Sequence, residues 1–398
     1  MIDMKKIYLD YAATTPVDPQ VIEAMKPYWS KKSGNPNSLH SWGREARKAI
    51  DKSRKITADF LNCQPDEIVF TSGATEANNL ALKGVIEAFR AVDTGKTPHI
   101  IVSPIEHHCV LDSAKHLEKQ GIEVSWLKVD KYGLVDPKEV KKLIKKNTVL
   151  VSVMYGNNEV GTIQPIKEIS QAISHQPSAI SHQILFHTDA VQAVQCLDCR
   201  VDKLGVDLLS VSAHKFYGPK GIGFLYIRKG TKIIRQQDGG GQEFRLRAGT
   251  ENVVFIVGLG KALELVMKNK DKEKKRLTLL RDYLIENCKL KIENCYLTGH
   301  PSKRLPHIAS IVVPGAEGEA MLLHLDDKGI AASSGSACTS GTLEPSHVLL
   351  AMGIKPEIAH GSLRFSLGKG TKKEDIDYLL DVLPGIVRKL RKMSPRAG

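Results

Sequence analysis

Three short stretches carry residue types that could do chemistry together. The first is Ser212-Ala213-His214-Lys215-Phe216-Tyr217-Gly218-Pro219, which follows an apolar run and precedes a glycine-rich turn. A lysine at the tight end of a buried strand is unusual, because Lys is seldom buried without a partner. Desolvation lowers its pKa and would suit Lys215 to Schiff-base chemistry. Alone, the same run also reads as an exposed turn. The second stretch is His187-Thr188-Asp189-Ala190-Val191-Gln192. Asp189 closes an apolar run, at the strand end where open α/β sheets bind ligands. A carboxylate there can pair with a protonated pyridine nitrogen, or it can simply cap a helix. The third is Thr71-Ser72-Gly73-Ala74-Thr75-Glu76-Ala77-Asn78-Asn79. A strand stops, a turn of small residues follows and a helix begins. The free N–H groups and partial positive charge of a helix start suit a phosphate. An ordinary cap by Ser72 or Thr75 is the competing reading. Neither the Walker nor the dinucleotide glycine pattern is present. A phosphate cradle, a carboxylate and a lysine, each at a strand end, are together the parts that hold pyridoxal phosphate.

A fourth stretch is Ser333-Ser334-Gly335-Ser336-Ala337-Cys338-Thr339-Ser340-Gly341. Cysteine is usually a buried residue, yet nothing in this small, polar run could pack Cys338 into a core. An exposed thiol is a liability unless it reacts with something. Cys63, Cys109, Cys288 and Cys295 lie beside helical or strand patterns and read as ordinary. Cys196-Leu197-Asp198-Cys199 has zinc-like spacing, but no second pair or histidines follow at ligand spacing, so no metal site is expected.

The elements that must position these residues are legible as alternating patterns. Strand candidates span 67–71, 99–103, 123–127, 148–154, 184–188, 207–212 and 223–227. Several are apolar on both faces, as strands inside a parallel sheet are. Helical patterns at 76–92, 110–120, 136–146 and 166–174 lie between them. This alternation predicts an α/β fold, a large domain with a mostly parallel sheet covered by helices on both faces. After about residue 254 the texture changes: a long polar helix at 259–290, strands at 307–313, near 330 and at 362–366, and helices at 317–327 and 373–392. These predict a smaller α+β domain. The expected division is a large domain at 1–260 and a small one at 261–398, with residues 1–20 free to pack against the latter. Residues 174–183 read as a polar loop.

The 398 residues carry 57 Lys+Arg against 44 Asp+Glu, a formal charge of +13. The excess lies in helix-like stretches without interleaved aromatic residues, so nucleic acid is not expected as the primary ligand. A basic surface can still draw anionic substrates or an acidic partner. The longest apolar runs, such as 149–154, are strand-sized and far below a membrane span. Residues 1–11 show no signal or transit character. Seven cysteines are an odd number, which favours a reducing compartment, expected to be the cytoplasm.

With these motifs in view, the chain resembles the cysteine desulfurases, within the pyridoxal-phosphate-dependent aminotransferase superfamily. The likeness runs from Tyr8-Leu9-Asp10-Tyr11-Ala12-Ala13-Thr14-Thr15-Pro16 to Arg364-Phe365-Ser366-Leu367-Gly368 and is strongest around Cys338. The resemblance implies an aminotransferase-like fold, pyridoxal 5'-phosphate as cofactor, L-cysteine as substrate and a homodimer. It implies that Lys215 binds the cofactor covalently and moves protons. His107, in Glu106-His107-His108, would stack on the ring and serve in acid–base steps. Asp189 would pair with the pyridinium, Gln192 with the ring oxygen, and Asn158, in Asn157-Asn158-Glu159, would lie beside the ring and the substrate carboxylate. Ala74, Thr75, Ser212 and His214 match a phosphate cup. Thr250, in Arg247-Ala248-Gly249-Thr250-Glu251-Asn252, would reach the phosphate across the dimer. Arg364 would clamp the substrate carboxylate, a task for a bidentate guanidinium. Cys338 would attack the substrate sulfur, keep it as a persulfide and pass it to an acceptor or an iron–sulfur scaffold protein. Residues 239–250 also resemble selenocysteine lyases, so that lyase, or another enzyme using the same cofactor, is the alternative. The long cysteine loop pulls the other way.

Overall fold

The computed structural model describes residues 6–93, 95–174, 182–335 and 344–393. The chain enters through a two-residue strand, β1 (Ile7–Tyr8). Seven strands then build one sheet: β2 (Ile68–Thr71), β3 (His99–Val102), β4 (Glu123–Trp126), β5 (Thr148–Ser152), β6 (Leu185–Asp189), β7 (Leu208–Ser212) and β8 (Gly223–Ile227). Their order across the sheet is β2-β8-β7-β6-β5-β3-β4. All neighbours are parallel except that β8 runs against both β7 and β2. Two reversals cancel, so β2 points the same way as β3 to β7. Thr71, Asp189 and Ser212 therefore end on one edge of the sheet. The mostly parallel sheet expected from sequence is present.

Side chains alternate between two cores, as the two-residue period of a strand requires. Ile101, Val151, Leu209, Phe224 and Tyr226 join one core with Ile50, Phe60, Leu259 and Leu263. Ile100, Val102, Leu208, Leu225 and Ile227 join the other with Leu80, Val110 and Leu117. Both faces are thus covered, which is why these strands lack polar alternation.

Beyond it, β9 (Tyr296–Leu297), β10 (Ile308–Val312) and β12 (Ser362–Ser366) form an antiparallel sheet in the order β12-β10-β9. The strand β11 (Ile330–Ala331) pairs in parallel with β1, Ile7 against Ile330. Ile7 and Leu9 are buried in the core of Ile311, Phe365 and Leu379. The helix Val253–Lys291, 39 residues long, joins the two regions. Its first half places Ile256, Leu259 and Leu263 in the first core, and its second half places Leu277, Leu284 and Cys288 in the core beside β10. It starts earlier than its polar pattern predicts because Asn252 caps it, accepting from Phe255 N at 3.1 Å.

Two further helices, Pro19–Trp29 and Ser41–Leu61, were not expected. The first carries Pro27 inside it, a residue that reads as a helix breaker, and the second hides a buried Arg54 among its apolar positions. Among the described residues, no helix is long and apolar enough to cross a membrane, and no His/Cys/Asp/Glu cluster could hold a metal.

Candidate active site

The carboxyl edge of β2, β6 and β7 opens into a cavity of about 480 Å³. Its floor begins at the turn after β2. Gly73 occupies the cap position of the helix Ala74–Val92 with φ 154° and ψ −179°, a conformation essentially restricted to glycine. No side chain caps this helix, so neither Ser72 nor Thr75 does what an ordinary cap would do. The first N–H groups, with Ala74 and Thr75 lining the cavity, are left for an anion. The neighbouring strand permits this close turn through Gly223: a Cβ there would lie 2.3 Å from Val211 O and 2.8 Å from Gly73 Cα. Glu76 braces the turn, accepting from Ser72 N at 2.7 Å and pairing with Arg247 at 2.9 Å.

Asp189 lies 4% exposed at the end of β6. Its Oδ1 accepts from Val191 N at 2.9 Å, and its Oδ2 accepts from Asn78 Nδ2 at 2.7 Å. Asn78 stands one turn along the helix from Thr75 and was given no role from sequence. The i, i+3 spacing was the available signal, since it puts both residues on one face. Lys215 is half-buried at the end of the 3-10 turn Ala213–Lys215 that follows β7, and its Nζ donates to Ala12 O and Ala13 O, both at 2.7 Å. Those carbonyls come from the start of the chain and carry no mark in a sequence. Ser212 and His214 line the same cavity. Burial, helped by the Lys215 charge, pushes the His214 imidazole down to about 4, so it is neutral.

His107 faces the cavity from the cap of the helix His108–Lys119. This helix starts two residues earlier than expected because the His107 ring accepts from Cys109 N at 3.2 Å. Burial lowers the His107 pKa. Beneath it, Glu106 is fully buried, with Oε1 accepting from Met154 N at 2.6 Å and Oε2 without a partner among the described residues. Burial raises its pKa well above that of an ordinary glutamate.

Arg364, 4% exposed in the middle of β12, reaches over from the second sheet. It pairs with Asp10 at 2.9 Å and donates to Asn158 O at 2.9 Å, while its buried Nε has no partner among the described residues. A buried guanidinium with an unspent donor fits a small carboxylate. Asn158 and Gln192 also line the cavity. Gln192 donates to Ala12 O at 3.0 Å, and its Oε1 lies 3.2 Å from His307 Nε2.

The structure thus gathers ten residues singled out from sequence: Ala74, Thr75, His107, Asn158, Asp189, Gln192, Ser212, His214, Lys215 and Arg364 line one cavity, and Gly335, three residues before Cys338, lies in its wall. Cys338 itself lies outside the described residues. Thr250 is exposed and does not line this cavity. The donor set fits pyridoxal phosphate: uncapped N–H groups for the phosphate, a buried carboxylate for the pyridine nitrogen and a nearby primary amine.

Fold and cavity together define a pyridoxal-phosphate enzyme of the aminotransferase type. The aminotransferase class-V family matches residues 7–379. A cysteine desulfurase IscS of Dictyoglomus turgidum is 54% identical over 98% of this chain and 97% of its own length. A solved NifS-like protein superposes with a TM-score of 0.89 at 37% identity, over 97% of this chain and 100% of that one. A solved complex of SspA with cysteine gives 0.78 at 36% identity, over 91% and 99%. The chain belongs to the cysteine desulfurase family of class-V aminotransferases.

Proposed function

We propose that the protein takes sulfur from L-cysteine, releases L-alanine and carries the sulfur as a persulfide on Cys338. The observation that carries this reading is the meeting, in one cavity, of an uncapped helix start, Asp189, Lys215 and the half-satisfied Arg364. Bound pyridoxal phosphate supplies an electron sink for the pair left on the substrate α carbon. Ala74, Thr75, Ser212 and His214 hold the phosphate, and Asp189, fixed by Asn78, keeps the pyridine nitrogen protonated. Arg364 fixes the substrate carboxylate beside Asn158. Lys215 moves the proton at the α carbon, and His107 serves the ring and the leaving proton. The Cys338 thiolate attacks the substrate sulfur; an S–S bond forms, the C–S bond breaks, and its electron pair goes to the β carbon, which is protonated to alanine. The outer sulfur then passes to the thiolate of an acceptor such as an iron–sulfur scaffold protein, the S–S bond breaking to return the Cys338 thiolate; the charge of +13 suits an acidic acceptor.

A homodimer completes the site in this reading, with Thr250 reaching the partner's phosphate. Support comes from how its segment is held. Glu243, Phe244 and Arg245 all have positive φ, and the buried pair Arg54–Glu243 at 2.6 Å pins them to β2. Leu39, Trp42 and Phe244 are 90%, 60% and 51% exposed, an apolar showing that a second copy would cover. We keep two domains in this reading, divided near residue 260, although the helix Val253–Lys291 crosses that point and Leu263, Val266, Leu305 and Ile308 pack in the first core. We place the enzyme in the cytoplasm, which the free thiols of Cys63, Cys109, Cys196, Cys199, Cys288 and Cys295 suit. The deciding experiment is alanine formation from L-cysteine, with mass spectrometry for one added sulfur on Cys338. Absence of both products in cofactor-loaded protein would refute the reading.

A further inference from the structure

One thiol in the cavity wall has no part in the scheme above. Cys109 lies on the first turn of the helix His108–Lys119, between the side chains of Asn78 and His107. Its Sγ receives the Asn78 amide at 3.0 Å and stands 3.1 Å from His107 Nδ1. Its backbone N–H also meets that nitrogen, at 3.2 Å. The orientation of Asn78 is set by Asp189, because only the amide nitrogen can face the carboxylate at 2.7 Å. The buried Asn78 Oδ1 is left without a partner among the described residues, so this orientation is held at a cost. With the sulfur accepting from Asn78, the thiol proton is free to point at His107. A proton on Nδ1 would confront the Cys109 N–H head-on.

We infer that Cys109 is a positioning residue: its backbone N–H and its thiol both donate to His107 Nδ1, which keeps the ring proton on Nε2 and joins His107 through Asn78 to Asp189. The ring is thereby held as a neutral donor whose Nε2–H faces the cofactor cavity. Burial keeps the Cys109 thiol protonated by pushing its pKa up to about 12, so it donates rather than attacks. The charges around His107 come from several elements. Asp189 on β6 and Asp112 on its own helix favour imidazolium, while Lys215 after β7 and His108 oppose it. His347, from the helix His347–Ala351, touches the same cluster through Glu106 O at 3.0 Å. Loss of the thiol donor leaves that balance intact and makes Nδ1 easier to protonate.

The inference rests on the acid–base role proposed for His107, but its test does not need that role. The apo protein is labelled in its histidine rings, and the His107 signals are assigned by their loss in His107→Gln. The unmodified protein should show the Nε2–H tautomer. Cys109→Ala should raise the ring pKa by about half to one unit, the worth of one weak hydrogen bond. Cys109→Ser, with a hydroxyl able to donate to the same nitrogen, should bring it back. In holoenzyme the acid limb of alanine formation should move up with the ring pKa in Cys109→Ala and return in Cys109→Ser. An Nδ1–H tautomer in the unmodified protein, or a ring pKa unmoved in Cys109→Ala, overturns the inference. Should Cys109→Ala not fold, the tautomer of the unmodified protein and the ring pKa of Cys109→Ser decide it: an Nδ1–H tautomer, or a pKa in Cys109→Ser raised toward that of a free imidazole, refutes it. A ring that behaves as expected beside an unmoved activity profile upholds the positioning and removes His107 from acid–base chemistry.

Discussion

A side chain acts here mainly through what holds its far atoms. Lys215 is aimed by two backbone carbonyls, and Asp189 by an amide and a main-chain N–H. Lys215→Ala should leave the phosphate cup and Asp189 in place while removing the covalent link. After borohydride reduction and denaturation, unmodified protein should keep one cofactor per chain and Lys215→Ala none; equal retention would mean another residue makes the link. Cys338→Ala should still bind L-cysteine, seen as a change in the visible spectrum, yet lose alanine release. Removal of a nucleophile removes the step, so the loss should far exceed the roughly tenfold that 1.4 kcal/mol of weakened binding represents. Alanine release at the unmodified rate would return Cys338 to a passive loop position. At this scale the charged and nucleophilic members of the site were legible, because strand ends and small-residue runs give them away. Glu106, Asn78 and the carbonyls of Ala12 and Ala13 were not. A buried acid looks like any glutamate in a sequence, and a carbonyl has no letter.

Elements decide whether those atoms converge. The turn Ser72–Gly73 places the helix start against β7, and Gly73 holds a backbone conformation that costs other residues about 1–3 kcal/mol. Gly73→Ala should therefore weaken pyridoxal phosphate about tenfold to a hundredfold, read by titrating apo protein at the visible absorbance of the complex. An unchanged affinity would show that the N–H groups do not hold the phosphate. A second element-level joint is Glu159. It is buried, accepts a hydrogen bond from the Ser346 hydroxyl, and would lie 2.8 Å from a Cβ on Gly335. Burial raises its pKa to about 7. The folded state therefore holds a proton that the unfolded chain loses nearer the ordinary glutamate value, so this contribution to stability falls as pH rises from about 4.5 to 7. Glu159→Gln should be less sensitive than the unmodified protein over that interval, measured as Tm against pH; parallel curves would contradict the assignment. The parallel strands were legible because runs such as Ile100-Ile101-Val102 feed two cores at once. The place of β2 beside β8 was not, since strand order is settled by long-range packing rather than by local pattern.

Across the whole molecule, the site is shared between two regions and, as proposed, two copies. Sedimentation should find a dimer, and Thr250→Ala should lower cofactor affinity without altering the dimer. A fully loaded, active monomer would contradict this. The change of texture near residue 254 announced a second region, but not that its long helix would start at Val253 and seat its first turns in the core of the large sheet. Its polar middle masks the apolar positions at each end. The chain start shows the same long-range logic. Asp10 pairs with Arg364 across 354 positions, Ala12 N is held by Ser366, and β1 finds its partner in β11. During synthesis at about 5–20 residues per second, residues 7–13 would be made roughly twenty to seventy seconds before Arg364 exists to receive them. The carbonyls that aim Lys215 thus gain their support only near the end of translation. A nascent chain halted at residue 300 should carry the large sheet yet fail to capture pyridoxal phosphate tightly, which makes cofactor uptake a late, nearly post-translational event.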